Sequence, residues 1–146
     1  MSKLFQALLS GLFFTFFLDY FFLLGVKKNY VDKFVEALYY DNFFAATQNV
    51  FIYTFFTLLI GYLVIYVESV KIKLIVFTLL FALSASTLFH NIGYKVGEFL
   101  FLQKDVIFQE KKHSFRGDVY YETRTHIIFY DYELQKIIKL NKKELI

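Results

Sequence analysis

Cysteine and proline are both absent from the 146 residues of this chain, and glycine occurs only 6 times. The absence of cysteine excludes disulfide bonds, thiolate metal sites, a cysteine nucleophile and any lipid attached to a cysteine. The absence of proline and the shortage of glycine leave few positions at which a helix must break. They also give no support to a proline-rich linker or a long disordered segment.

Apolar side chains dominate what is present. Hydrophobic residues make up 58% of the sequence and aromatic residues 23%, with 21 Phe and 12 Tyr. Soluble domains contain about 45–50% apolar residues. The net charge of +3 comes from bases that are interspersed with acids, so the chain lacks the basic stripe that binds nucleic acid. We therefore predict a membrane protein that does not bind nucleic acid.

Three apolar stretches are long enough to cross a bilayer. They cover residues 4–26, 50–67 and 74–94, and about 20 apolar residues cross the hydrocarbon layer as a helix. The first stretch contains an acid and is followed by Lys27 and Lys28 rather than by a signal-peptide cleavage site, so we expect it to be retained. We predict three transmembrane helices within a domain of residues 1–95.

The connection after the first stretch predicts an amphipathic helix at the membrane surface, over about residues 30–45. Its apolar side contains Tyr30, Phe34 and Leu38, and its polar side contains Asp32, Lys33 and Glu36. A single long helix that continues into the second stretch is the alternative, because neither glycine nor proline separates the two.

Residues 96–146 predict a small β-rich tail outside the membrane. Val, Ile, Tyr, Phe and Thr are frequent there, and turn residues occur at 116–118 and 131–133. We expect about three antiparallel strands, with residues 119–129 in one strand that places Val119, Tyr121, Ile127 and Phe129 on one face. The last segment fits a strand or a helix. The predicted fold is a membrane all-α bundle of three transmembrane helices plus an interfacial amphipathic helix, with a small C-terminal antiparallel β-meander.

Lysines near the ends of the stretches indicate the orientation. More of them flank the first connection and the tail than flank the opposite side, and cytoplasmic loops carry an excess of Lys and Arg. The bias toward Phe, Tyr, Ile and Lys is typical of an AT-rich, bacterial genome. We expect a multi-pass protein of the bacterial cytoplasmic (inner) membrane with its N-terminus outside and its tail, residues 96–146, in the cytoplasm.

Asp19 is the only charged residue within the first stretch. A carboxylate at the centre of a bilayer costs roughly 2.5–3.5 kcal/mol, so such residues face a bundle interior or a wet cavity and have a partner. Small and polar residues precede Asp19 at every fourth position, and the third stretch repeats this spacing. The stripe of the first stretch is Ala7, Gly11, Thr15 and Asp19, and that of the third is Thr78, Ala82, Ser86 and His90.

A hydrogen-bonded pair of Asp19 and His90 is the sharpest prediction from these stripes. The first and third stretches run in the same direction, because one crossing separates them, and the two residues differ in height by only about 4–5 Å. The residues expected to complete this polar cluster are Asn91, Gln48 and Asn49, and the packing face of the second stretch is Thr54, Thr57 and Gly61. Three roles stay open for Asp19: a structural hydrogen bond, a bond to another subunit, and proton or ion handling.

Motifs of the common enzyme classes are absent from the sequence, which contains no phosphate-binding glycine loop, no HExxH and no GxSxG. We predict a non-enzymatic protein without catalytic residues, cofactor or metal. We expect an accessory, scaffold or assembly subunit of a larger membrane complex. Its partners would be the lipid bilayer, other membrane subunits or further copies of this chain, and a cytoplasmic protein at the tail. The alternative is an oligomeric transport or channel component that handles ions or protons through Asp19 and His90.

Overall fold

The computed structural model describes residues 2–35, 39–109 and 114–143. In these ranges a helical region precedes a β-sheet. The helices are α1 (Lys3–Asn29), a short 3₁₀ helix (Val31–Lys33), α2 (Tyr40–Thr47), α3 (Val50–Tyr66), α4 (Val70–Ser86) and α5 (His90–Phe101). The strands are β1 (Gln103–Gln109), β2 (Ser114–Glu122), β3 (His126–Asp131) and β4 (Lys136–Asn141). The prediction of a helical region followed by an antiparallel sheet is confirmed, although α5 extends past the predicted boundary at residue 95.

The three predicted membrane spans are not confirmed. In the described part of the chain one helical segment, Lys3–Lys33, which joins α1 to the 3₁₀ turn, is long and apolar enough to cross a membrane, and α4 with α5 could form a second span that bends by 83°. The third apolar stretch is therefore divided between two helices. Helix α3 has 17 residues, a length of about 26 Å, which is shorter than the hydrocarbon layer of about 30 Å.

The predicted surface helix over residues 30–45 is wrong for the described residues. The backbone leaves the helical conformation at Tyr30, a single 3₁₀ turn follows, and α2 begins at Tyr40. Glu36 and Leu38 lie outside the described residues. The alternative of one long helix is also wrong, because the extended backbone of Gln48 and Asn49 separates α2 from α3.

Helix α1 packs against α3, α4 and α5. On the α3 side a Cβ at Gly11 would overlap the carbonyl oxygen of Thr57, and a Cβ at Gly61 would overlap that of Ala7. The stripe of α1 therefore meets the Thr57 and Gly61 face of α3, and not the stripe of α4 as predicted. The reason is steric, since two glycines allow a closer backbone approach than the Thr, Ala and Ser residues of α4.

Aromatic rings make the contact between α1 and α4 instead. The rings of Phe14 and Phe77 have centroids 4.9 Å apart, and Phe81 lies 5.3 Å from Phe21 and 6.0 Å from Phe17. The contact between α1 and α4 is therefore made by bulky side chains, whereas glycines bring the backbones of α1 and α3 together.

The tail is an antiparallel meander of four strands in the described ranges, ordered β1-β2-β3-β4, rather than of about three. The single strand predicted over residues 119–129 is wrong, because the chain turns at Thr123–Thr125. His126 N donates to Thr123 Oγ1 at 2.9 Å, and Thr123 N donates to the carbonyl oxygen of His126 at 2.8 Å. Threonine has a high β propensity, but its hydroxyl can also close a turn, and here the turn prevails.

One of the two predicted turns is correct. Asp131 ends β3, and its Oδ1 accepts hydrogen bonds from the backbone N–H groups of Glu133 and Leu134 at 2.7 and 3.0 Å. The other predicted turn, at residues 116–118, lies inside β2, where the chain pairs with both neighbouring strands. The last segment, for which a strand or a helix was expected, forms β4.

A bulge in β2 directs two consecutive tyrosines toward the helices. The pairing of β2 with β3 shifts between Val119 and Tyr121, and such an irregularity inserts one residue and redirects the side chains that follow. Tyr120 stacks on Phe34 with ring centroids 4.5 Å apart, and Tyr121 packs with Phe43. Val119 belongs to the separate core of the sheet. The prediction that Val119 and Tyr121 share a face is therefore wrong.

Tyr30 joins the helical region to the sheet. Its side chain is 1% exposed, and its hydroxyl donates to the carbonyl oxygen of Tyr120 at 2.9 Å. The buried cluster around it is Leu23, Val26, Tyr30, Val31, Phe43 and Tyr121. This cluster packs the sheet against α1 and α5.

Candidate functional site

A half-open cleft of about 860 Å³ lies between α3 and α4, beside α1. Its volume falls in the range of roughly 300–1,000 Å³ that is typical of small-molecule sites. Apolar side chains form most of its wall, among them Leu18, Phe22, Ile52, Ile60, Leu83 and Leu100. Residues of β2 and α5 close the end that faces the sheet.

Asp19 lies in the wall of this cleft and is half-buried. Gln48 Nε2 donates a hydrogen bond to Asp19 Oδ2 at 3.1 Å. Gln48 reaches Asp19 because α2 ends there and its backbone turns into the extended conformation. Among the described residues Gln48 is the one hydrogen-bond donor to this carboxyl group, which has the capacity to accept several more.

Two buried threonines have hydroxyls without a hydrogen-bond partner in the described part of the chain. Thr15, 5% exposed, lies one helical turn before Asp19 and lines the cleft, and Thr57, 7% exposed, lies in the contact between α1 and α3. Buried hydroxyls are almost always hydrogen-bonded, because leaving one unpaired has a large desolvation cost. The side chain of Thr15 lines the cleft, although its hydroxyl oxygen has almost no exposed surface.

At the closed end of the cleft lies Tyr121, whose pKa is raised by burial. Its side chain is hydrogen-bonded to that of Thr47, which opposes this shift without cancelling it. Since the ordinary pKa of tyrosine is already about 10, Tyr121 is a neutral phenol at physiological pH, and burial strengthens this preference. Of the titratable side chains that line the cleft, only Asp19 and Glu122 are carboxylic acids, and no lysine, arginine or histidine lies among the described lining residues.

The predicted pair of Asp19 and His90 is not formed, because His90 lies beside Asn29, at the C-terminal end of α1. Its Nδ1 is 3.4 Å from Asn29 Oδ1, and its Nε2 is 3.4 Å from Lys33 Nζ. Asn29 is ten residues beyond Asp19, which corresponds to about 15 Å along the helix. The prediction assumed that His90 continues the third span, whereas the bend places it at the start of α5.

Asn29 is a buried polar residue whose role at the bend the sequence pattern did not reveal. Its Nδ2 donates to the carbonyl oxygens of Thr87 at 2.8 Å and of Leu88 at 3.1 Å. These carbonyls lie in the break between α4 and α5, where the helix supplies no donor for them. The hydroxyl of Thr87 lies within hydrogen-bonding distance of the carbonyl oxygens of Ser84 at 2.8 Å and of Phe22 at 3.0 Å. A lone amide side chain directly after the paired lysines of α1 was the available signal.

The remaining predicted residues have separate roles. Asn49 caps α3, with its Oδ1 accepting from the N–H groups of Phe51 and Ile52 at 3.0 and 3.3 Å. Asn91 is exposed in the first turn of α5. Of the α4 stripe, Thr78 and Ala82 are exposed, and Ser86 is half-buried, with its hydroxyl donating to the carbonyl oxygen of Leu83 at 2.6 Å.

No group of His, Cys, Asp and Glu in residues 2–35, 39–109 and 114–143 could hold a metal ion. Comparison of the chain with protein-family models, with curated proteins and with solved structures finds no match. Any functional conclusion for this protein therefore starts from its own geometry.

Proposed function

We propose that the protein is a small integral membrane protein that acts, without enzymatic activity, as an accessory, scaffold or assembly subunit of a larger complex. The helices display large apolar side chains outward, with Phe13 62%, Phe55 61% and Ile75 63% exposed. Contiguous apolar surface of this extent is not stable in water and is typical of contact with lipid or with another protein. Embedding α1, α3 and α4 in a bilayer removes this surface from water.

The exposure of α4 is the observation that supports a subunit role. None of its 17 residues is buried, whereas α1 and α3 bury residues in their mutual contact. Its exposed Thr78 and Ala82 are the small side chains that allow a second transmembrane helix to approach closely. A helix of another membrane subunit, packed along this stripe, would bury α4 as fully as α3 buries α1.

A membrane location of the helices also predicts where α5 and the sheet lie. Helix α5 lies at the membrane surface, because it follows an 83° bend and has exposed Phe99 and Ile92 beside polar residues. The sheet then lies on the side marked by Lys27 and Lys28, which we propose is the cytoplasm of a bacterium, where a further protein can dock. The transport alternative, which requires Asp19 and His90 to act together, has less support because each contacts different residues.

Site-specific crosslinking tests the subunit role, because the natural chain has no cysteine. We expect Ala82→Cys, carrying a thiol-reactive photocrosslinker in native membranes, to give one defined protein adduct. Leu58→Cys is the matched control, because this side chain is 58% exposed on α3 and away from the stripe. The mass of the adduct distinguishes a different subunit from a second copy of the chain. Equal labelling at both positions, or none at Ala82, would remove the support for a subunit role.

A further inference from the structure

We infer that the cleft between α3 and α4 binds one membrane amphiphile with a long apolar chain and a small headgroup that donates hydrogen bonds and carries no negative charge. A long-chain alcohol or amine has this chemistry. The inference rests on the proposed location in a membrane, but it does not depend on the proposed role as a subunit.

The walls of the cleft favour an apolar chain. Leucine, isoleucine and phenylalanine side chains from α1, α3, α4 and α5 line it, and its volume of about 860 Å³ accommodates a single long chain. Helices α3 and α4 both pack on α1, and the cleft lies between them. A molecule from the bilayer can therefore enter sideways between these two helices.

The charged residues that line the cleft determine which kind of headgroup it can bind. Of the two acids that line it, Glu122 forms an ion pair with Lys142, whereas Asp19 has no cationic partner among the described residues. An anionic headgroup would lie near an uncompensated carboxyl group without a base to bind it. A headgroup that donates hydrogen bonds would instead complete the partners of Asp19.

The depth of Asp19 excludes a large charged headgroup. This residue lies about 15 Å along α1 from Asn29, which is at the level of the lysines. Burying a phosphate at that depth would be costly, because an isolated charge in the hydrocarbon layer is strongly disfavoured. A single hydroxyl or amino group can be buried there if it is hydrogen-bonded.

Thr15 is the second anchor for the headgroup, once its side chain rotates the buried hydroxyl toward the cleft. Its hydroxyl has no partner in the described part of the chain, it lines the cleft, and it lies one turn before Asp19 on the same face of α1. Thr57 has an equally unpaired hydroxyl but does not line the cleft. These two threonines form a matched pair for a test.

Fluorescence quenching in the purified full-length protein in nanodiscs provides the measurement, because the natural chain contains no tryptophan. Leu80→Trp places a reporter in the cleft wall, and Leu79→Trp places one on the outer side of α4, where the native side chain is 56% exposed. The probes are dibromostearyl alcohol, dibromostearylamine and dibromostearic acid, which share one chain and differ in the headgroup.

We expect the alcohol and the amine to quench the Leu80→Trp reporter saturably at low mole fraction. The acid should bind about tenfold more weakly, since one strong hydrogen bond is lost and a repulsion is gained. The Leu79→Trp reporter should show only the linear quenching of bulk lipid. Acid that binds as tightly as the alcohol, or equal quenching of both reporters, would overturn the inference. Ile52→Trp serves as a second reporter in the cleft wall if Leu80→Trp fails to fold.

Variants of the two threonines distinguish an effect on ligand binding from an effect on folding. In the reporter background, Thr15→Val should weaken binding of the alcohol about threefold to tenfold, whereas Thr57→Val should leave it unchanged. Neither variant should lower thermal stability, because each removes a buried hydroxyl that has no partner. Identical binding by the two variants would contradict the assignment of Thr15 as an anchor. None of these results depends on a partner subunit, so failure here leaves the crosslinking test intact.

Discussion

Replacing Asn29 by leucine is expected to loosen the bend between α4 and α5. The leucine side chain has a similar size but cannot donate to the carbonyl oxygens of Thr87 and Leu88, which Asn29 now binds at 2.8 and 3.1 Å. Both carbonyls lie in the break between α4 and α5, where the helix backbone supplies no replacement donor.

The magnitude follows from the burial of the two acceptors. Thr87 is 1% exposed, so leaving its carbonyl without a donor should cost the full penalty of an unsatisfied buried group, about 1–3 kcal/mol. Leu88 is 38% exposed, so the loss of the donor to its carbonyl should cost less. The burial of the leucine side chain returns part of this free energy. We expect a net loss of about 2 kcal/mol in the free energy of unfolding.

Unfolding by denaturant in mixed micelles, followed by far-ultraviolet circular dichroism, measures this loss. Asn91→Leu is the matched control, because Asn91 is exposed on α5 and should change stability by less than about 0.5 kcal/mol. A thermal or chemical transition that is equally displaced in both variants would refute the role of Asn29 at the bend. Hydrogen exchange should also become faster in the first turn of α5 in Asn29→Leu alone.

Three further changes have defined outcomes. Gly11→Ala should destabilise the protein by about 1–3 kcal/mol in the same unfolding assay, because its Cβ overlaps backbone of α3 that cannot move aside; unchanged stability would contradict the close approach. Tyr30→Phe should cost about 1 kcal/mol and speed hydrogen exchange in β2, since it removes only the bond to the Tyr120 carbonyl; exchange in β2 like that of the parent would contradict the bond. The hydrogen bond from Arg116 lowers the pKa of Asp105, so the stability that this pair adds is complete above the ordinary Asp value of about 3.9 and is lost as the pH falls below it. The difference between Arg116→Gln and the parent should therefore disappear in acid, and a difference that is constant with pH would contradict the assignment.

The order of helices and sheet could be predicted from the sequence because it depends on local signals. Apolar runs without proline indicate helices, and the change to β-branched and aromatic residues after α5 indicates strands. Likewise, Gly61 and Thr57 follow the spacing of small residues, and they do form the contact face of α3.

The bend and the bulge could not be predicted in this way. No glycine or proline marks residues 87–89, and the donor to the carbonyls of Thr87 and Leu88 is Asn29, 58 residues before Thr87 in the chain. In β2 the alternation of residues continues through Tyr120, and only the pairing with β3 reveals the extra residue. Because the bend moves His90 away from Asp19, an error in one backbone feature changed the predicted site.

The central position of α1 has a consequence for how the chain assembles during synthesis. Because α1 precedes α3, α4 and α5 and contacts all three, each later helix can dock on a surface that has already left the ribosome. From the order of synthesis we expect the glycine contact with α3 to form first, the aromatic contact with α4 next, and the hydrogen bonds of Asn29 last. We expect the sheet to pack against the helices only after the bend between α4 and α5 has formed.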